Sequence, residues 1–349
     1  MTRAGRPPFI TRWDLDKTYL RTDFDTTKDL LRTAFEPADQ KRSVPGAAEL
    51  LAALGRTGAR VHILSGSPRQ MQARLEAKLR LDGVRWDELT LKPNLSNLLR
   101  LRLRALRDQL GYKLPALLEA RTRDQGPSGL DSPLEVLVGD DAEADAFVYS
   151  LYGDLCAGEV SLRELEAILE AGAVYDDQAA RALRAAAALL PGPAVTRILI
   201  HLDRQSPPSQ FSGHGPRVVP FYNYLQAAVV LAEDGLIGVD AVAAVARVLA
   251  ERHRFDAEAL GRSYLDLLRR GHARLTLLPA LEGLSQGGDG PPDPLLDGMR
   301  RTVTAGASAI RPVALPEAAP DYLDLARRHR GGKNRRKTRM VAARGHDGA

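Results

Sequence analysis

Residues 7–18, PPFITRWDLDKT, pass from a proline turn through a short apolar run into two aspartates, Asp14 and Asp16. A run built from β-branched and aromatic residues and ending abruptly in charge reads as a buried strand. Two later stretches have the same form. ARVHILSGS (59–67) runs into Ser65 and Gly66, and LEVLVGDD (134–141) runs into Asp140 and Asp141. Between them ELLAALGRTG (49–58) is a short amphipathic helix, with Pro45 and Gly46 before it and glycine at its end. PRQMQARLEAKLRLDG (68–83) reads as a helix leaving the second strand, and residues 94–123 as helical on both sides of Gly111. Near-continuous apolar strands separated by helices predict an α/β fold, a Rossmannoid parallel sheet with helices on both faces. In such sheets ligands sit beyond the carboxyl ends of the strands, where all three of these stretches become polar.

The pattern continues past Asp145. DAFVYSLYGDLCAG (145–158) reads as a short helix, and Ser161 with Glu164 makes a capping box for the next one. DDQAARALRAAAALL (176–190) is a third helix, and PGPAVTRILIHLDRQ (191–205) a further strand of the same sheet, so the first domain is set at residues 1–205. SPPSQFSGHGPRVVP (206–220) reads as a long loop. FYNYLQAAVVLAEDG (221–235), VDAVAAVARVLAERH (239–253) and residues 256–284, broken near Gly271, read as helices of an accessory region over 206–325. Residues 326–349 form a basic tail, expected to be disordered. About 45 residues separate Asp16 from Ser65, and fewer than 50 separate Ser65 from Lys113, which leaves room for only a small cap or none.

The net charge of +5 suggests polyanion binding until it is located. From Arg327 onward nine Lys or Arg stand against one Asp, a local +8; taken from the total of +5, this leaves −3 on the first 326 residues. The folded body therefore gives no electrostatic reason to bind a polyanion, while the tail is a candidate site for an anionic partner, nucleic acid or membrane. Cys156 is the only cysteine, which excludes an intrachain disulfide and a cysteine-only zinc site and points to a reducing, cytoplasmic setting. No apolar run has the length of a signal peptide or a transmembrane segment.

Two carboxylates two residues apart at a strand end are useful when a divalent cation lies with them, and magnesium favours hard oxygen ligands shared with substrate phosphate. Asp140 and Asp141 supply further oxygens at the same sheet edge. Ser65 and the backbone N–H groups around Gly66 can face an anion there, and Lys113, read as beginning a helix, can bring an ammonium to the same place. A carboxylate nucleophile is repelled by a phosphate ester unless such cations neutralise the oxygens, so these parts require one another.

DLDKT (14–18) resembles the first motif, DxDxT, of haloacid dehalogenase-like (HAD) hydrolases. The serine of ILSGS resembles their second, the lysine of GYK their third, and VLVGDDAEAD their acidic fourth. The resemblance implies a magnesium-dependent phosphatase acting on a phosphorylated substrate. Asp14 would be the nucleophile and Asp16 the general acid and base, with its backbone carbonyl on the metal. Thr18 would support the turn, Ser65, Gly66 and Lys113 would bind phosphate, and Asp140 would ligate Mg2+, with Asp141 or Asp145 completing the shell. The order of motifs is nearest the phosphatidate phosphatase branch associated with actin patches, although Tyr112 stands where that branch usually has histidine. A small cap implies a bulky or macromolecular substrate. The alternative is a HAD-like binding module whose helical region or tail engages a protein, membrane or nucleic-acid partner.

Other residues draw structural expectations. Trp13 and Tyr19 read as core, and His201 and Asp203 as a strand end near the rim. His214 lacks a second ligand at metal spacing. Lys92, before Pro93, competes with Lys113 for its role and reads otherwise as a substrate-side or surface lysine, and Asn223 and Tyr224 read as either a docking surface or a wall of the site.

Overall fold

Strand β1 (Phe9–Trp13) lies inside the sheet between β2 (Arg60–Pro68) and β4 (Leu134–Asp140), paired in parallel with both. Strand β3 (Glu88–Lys92) pairs outside β2, while β5 (Val195–His201) and β6 (Val218–Phe221) extend the sheet beyond β4. The order is β3-β2-β1-β4-β5-β6, all parallel, so chain direction across the sheet reverses between β1 and β4. A crevice forms at such a switch point, and it is here that Asp14 and Asp140 emerge. The structure is a computed structural model that describes residues 9–21, 37–92, 106–287, 291–315 and 319–329.

Alternation along the strands sends apolar side chains into two cores. Trp13, Ile63, Val136, Val138 and Leu199 face one side, Leu64, Leu137, Ile198 and Ile200 the other. The first core is covered by α1 (Ala47–Arg56), α2 (Gln72–Leu81), α7 (Tyr224–Glu233) and α8 (Val239–His253). The second is covered by α3 (Leu106–Asp124), α4 (Asp145–Ala157), α5 (Leu162–Ala171) and α6 (Asp176–Ala187). The capping box of Ser161 and Glu164 starts α5 as expected. Helices α9 (Ala257–Arg269), α10 (Leu278–Ser285) and α11 (Pro294–Ala307) add a C-terminal helical region to the first core. A last helix, α12 (322–329), lays Tyr322 and Ala326 into the second core. Among the described residues no helix is long and apolar enough to cross a membrane.

Several local readings change. The stretch read as a loop running into a helix holds a 3₁₀ turn (Pro208–His214) and the edge strand β6, and α7 starts only at Tyr224. Four residues are too few to show alternation, and Pro220, which argues against a central strand, is tolerated at an edge. Sheet and first core thus continue past residue 205. Strand β3 carries little strand signal in the sequence, because it is short and its residues are mostly half-buried. Helix α3 runs unbroken through Gly111 and Pro115, so Lys113 lies well inside it and does not begin it. Residues 22–36, 93–105 and the tail from 330 lie outside the described residues.

At the amino end of the sheet a buried ionic network ties the layers together. Arg12 Nε donates to Glu135 Oε2 at 2.7 Å and Arg12 Nη2 to Asp124 at 2.9 Å, while Arg121 reaches Glu135 at 3.1 Å. The Tyr152 hydroxyl adds a bond to Glu135 at 2.8 Å. Burial alone would raise the Glu135 carboxyl, but Arg12, Arg121 and Tyr152 outweigh it and hold it below the usual range. Removing one partner of such a network strands buried charge, at a cost of about 3–5 kcal/mol. Glu135→Ala is expected to lose stability of that order in urea unfolding, whereas a loss within ~0.5 kcal/mol, the scale of surface changes, would show that the network contributes nothing.

Candidate active site

Asp14 follows β1 directly, and its N–H donates to the Val138 carbonyl at 2.9 Å, carrying the β1–β4 pairing one residue further. The chain then turns sharply. Lys17 adopts a left-handed conformation with φ of 62°, and the Tyr19 and Leu20 N–H groups both return to the Leu15 carbonyl. A lysine in that region is strained, so surrounding contacts must fix it. The His201 ring donates from Nδ1 to the Lys17 carbonyl at 3.0 Å, Asp203 pairs with the Lys17 ammonium at 3.4 Å, and the Tyr224 hydroxyl donates to the Thr18 carbonyl at 2.7 Å. Tyr224 also stacks on Trp13, with ring centroids 5.8 Å apart. His201, Asp203 and Tyr224 therefore shape the turn that carries the aspartates.

Three carboxylates meet at the switch point. Asp14, Asp140 and Asp145 are all buried, and each offers an oxygen within 4.8 Å of the others. Lys113 sits among them, its Nζ 2.9 Å from Asp14 Oδ1, 2.6 Å from Asp145 Oδ1 and 2.9 Å from Glu143 Oε2. The Thr18 hydroxyl lies 3.4 Å from Asp14 and 3.5 Å from Asp140. Asp140 Oδ1 accepts the N–H groups of Ala142 at 2.5 Å and Glu143 at 3.2 Å, and the Asp140 N–H donates to Asp145 at 3.2 Å. A Cβ on Gly139 would collide with the Asp145 side chain, so only glycine lets the start of α4 close onto β4.

Asp16 turns away from this cluster. Its Oδ2 accepts from Ser65 at 3.2 Å and from Ser67 at 3.0 Å. The placement follows from an irregularity in β2: Ser65 pairs with Leu91 and Pro68 with Lys92, so Gly66 and Ser67 bulge out of register toward Asp16. The Asp141 carboxylate also lies elsewhere, accepting the N–H groups of Arg204 and Ser206 and pinning the turn after β5. Of the expected residues, the structure gathers Asp14, Asp140, Asp145, Lys113 and Thr18, sets Asp16 beside Ser65, and leaves Asp141 outside. The sequence reading missed Glu143, which lies within the acidic stretch already singled out, and Ser67, two residues beyond Ser65.

The electrostatics are unbalanced. Burial, together with the neighbouring carboxylates, drives Asp14 and Asp140 well above the usual carboxylate range and raises Asp145, although Lys113 pulls each down. Burial also raises Asp16, against the two serine hydroxyls. Burial would lower Lys113, but Asp14, Asp145 and Glu143 more than offset it and hold the ammonium charged. One ammonium cannot neutralise four carboxylates. A divalent cation fits this donor set, since all the available atoms are hard oxygens and the charge in excess is negative.

No protein-family model, characterised protein or solved structure matches the chain. An all-parallel sheet with helices on both faces and a buried aspartate cluster at its switch point is the arrangement of HAD-like folds in general, and it selects no branch. The cluster has the composition of a metal-assisted hydrolytic site.

If the cluster takes a divalent cation, Mg2+ or Mn2+ at a hundred times its Kd adds about 2.7 kcal/mol of stability, read as a rise in Tm. Asp140→Asn is expected to abolish the rise while leaving the metal-free chain as stable as the native one or more so, because it removes a like charge. A variant that keeps the full rise would exclude the cluster as the metal site.

Proposed function

We propose that the chain is a magnesium-dependent phosphohydrolase that works on a phosphomonoester through a phosphoaspartate at Asp14. The observation that carries this reading is the single ammonium of Lys113 bridging Asp14 and Asp145 at 2.9 and 2.6 Å, at the point where β1 and β4 diverge. A buried carboxylate held by lysine beside further carboxylates has the parts needed for attack on phosphorus. The order of motifs around it supports a place near the actin-patch phosphatidate phosphatase branch. Tyr112, in place of histidine, weighs against carrying over the lipid substrate.

In this mechanism an Asp14 oxygen forms a bond to phosphorus as the ester P–O bond breaks, and Asp16 gives its proton to the leaving oxygen. Asp16 suits that task because burial favours its protonated form while Ser65 and Ser67 fix its direction. In the second half Asp16 takes a proton from water, which attacks the phosphoaspartate and frees phosphate and Asp14. Lys113 and the Ser65 hydroxyl stabilise negative charge on the phosphoryl oxygens in both halves. Asp14, Asp140 and Asp145 would hold magnesium, which when bound supplies further charge neutralisation. Thr18 keeps the Asp14 side chain in place. The substrate in this reading is bulky or macromolecular, and the setting is cytoplasmic, in keeping with a sole cysteine that is free and buried.

The test is magnesium-dependent release of phosphate from an aryl phosphate and from phosphorylated lipids, nucleotides and proteins. Asp14→Asn is expected to remove turnover, and Lys113→Met to lower kcat by roughly a hundredfold to a thousandfold, the range for losing one buried contact to the transition state. Turnover retained in Asp14→Asn would rule out the phosphoaspartate route.

A further inference from the structure

The cluster at the switch point is rich in negative charge: Asp14, Asp140, Glu143 and Asp145 lie around one lysine, and Asp16 stands beside them on Ser65 and Ser67. Any second anionic group on a substrate would be repelled over most of this surface. One side differs. Lys92, the last residue of β3, pairs in register with Pro68, immediately beyond the bulge that carries Ser65, Gly66 and Ser67. It is half-buried, makes no ion pair with a described residue, and rests its ammonium over the Tyr112 ring, 4.9 Å from the centroid. The Tyr112 hydroxyl in turn donates to the Ser65 carbonyl at 2.9 Å, which fixes the ring against the loop read here as binding phosphate. Burial lowers the Lys92 ammonium from its usual range, Glu143 and Asp108 pull it back up, and Lys113 adds to the lowering, while Arg69, exposed at the end of the same loop, is near enough for its charge to act on Tyr112.

A cation packed on an aromatic face is attracted to the ring and loses freedom, and so costs little further entropy when it meets an anion. From this arrangement we infer that Lys92, held by Tyr112, forms a second anion subsite beside the phosphoryl site, and that the substrate is a phosphomonoester whose leaving group carries another anionic group close to the ester, as in a bisphosphate. Tyr112 is a positioning residue, and Lys92 meets the substrate and sets specificity. The inference rests on the phosphatase reading, because it places the transferred phosphoryl group between Ser65 and Lys113.

Binding of two stable analogues separates the two ideas without any need for turnover. In isothermal titration calorimetry with magnesium, the full-length native chain is expected to bind methylenebisphosphonate at least about tenfold more tightly than methylphosphonate. Lys92→Ala should bring that ratio close to one, and Lys92→Arg should keep most of it. Methylenebisphosphonate also binds magnesium in solution, so the reading is the change in ratio between native chain and variant. Equal affinities in the native chain, or a preference that survives Lys92→Ala, would overturn the second subsite alone. If neither analogue binds the native chain, both the phosphoryl site and the subsite beside it fall.

Discussion

The ammonium of Lys113 is the constraint on which the upper half of this molecule depends. It comes from the middle of α3, an element far in sequence from β1 that leads into β4, and reaches Asp14, Glu143 and Asp145 together. To bring it there, α3 must lie close against α4 and the end of β4, which is possible because Leu110, Leu114 and Leu117 bury themselves in the second core beside it. Glycine at 139 then lets Asp145 fold back over the strand end. Packing and electrostatics are solved by one placement. Moving the helix by a turn would bury four carboxylates with no cation and be strongly unfavourable.

The second half of the chain serves the same end from the opposite core. Tyr224 at the start of α7 stacks on Trp13 and holds the Thr18 carbonyl, while His201 at the end of β5 holds the Lys17 carbonyl. Gly46, before α1, has a left-handed φ of 82° and lies so close to Tyr224 that a side chain there would press on it. A strained turn at Lys17 persists because three elements over-determine it. The C-terminal helices thus belong to the core that shapes the aspartate turn, which is a closer relation than that of an appended accessory region.

Much of this was legible in the sequence because the informative elements are long and buried. β1, β2, β4 and β5 announce themselves by apolar runs ending in polar residues, and the aspartates and Ser65 stand at or near those ends, while Lys113 lies inside α3. The short edge strands β3 and β6 were not legible. Four or five residues carry no usable period, and their placement is decided by tertiary packing. The same limit applies to the site. Asp140, Asp141 and Asp145 share one stretch of sequence, yet the turn directions that send Asp141 to the N–H groups of Arg204 and Ser206, and Asp145 to Lys113, come from tertiary packing. Glu143 joins the cluster for the same reason, by lying on the turn between Asp140 and the helix that Asp145 begins.

A comparison within the molecule separates function from structure. β1 and β4 each contribute to two buried charge clusters, one around Glu135 and one beyond the carboxyl ends of the strands. Around Glu135, near the amino end of β4, Arg12 and Arg121 face Glu135 and Asp124, a balanced set in which Glu135 is held below its usual range and every group has a close partner. At the carboxyl end one lysine faces Asp14, Asp140, Glu143 and Asp145, and burial drives the three aspartates upward. Both clusters occupy the same two strands and are buried to the same degree, so burial alone does not account for the difference. A network selected only for stability has no reason to leave charge uncompensated, because each unpaired carboxylate costs desolvation that an apolar residue would avoid. The imbalance makes sense where a divalent cation can bind, and its position at the switch point makes the carboxyl end of β1 and β4 the candidate working end of the sheet.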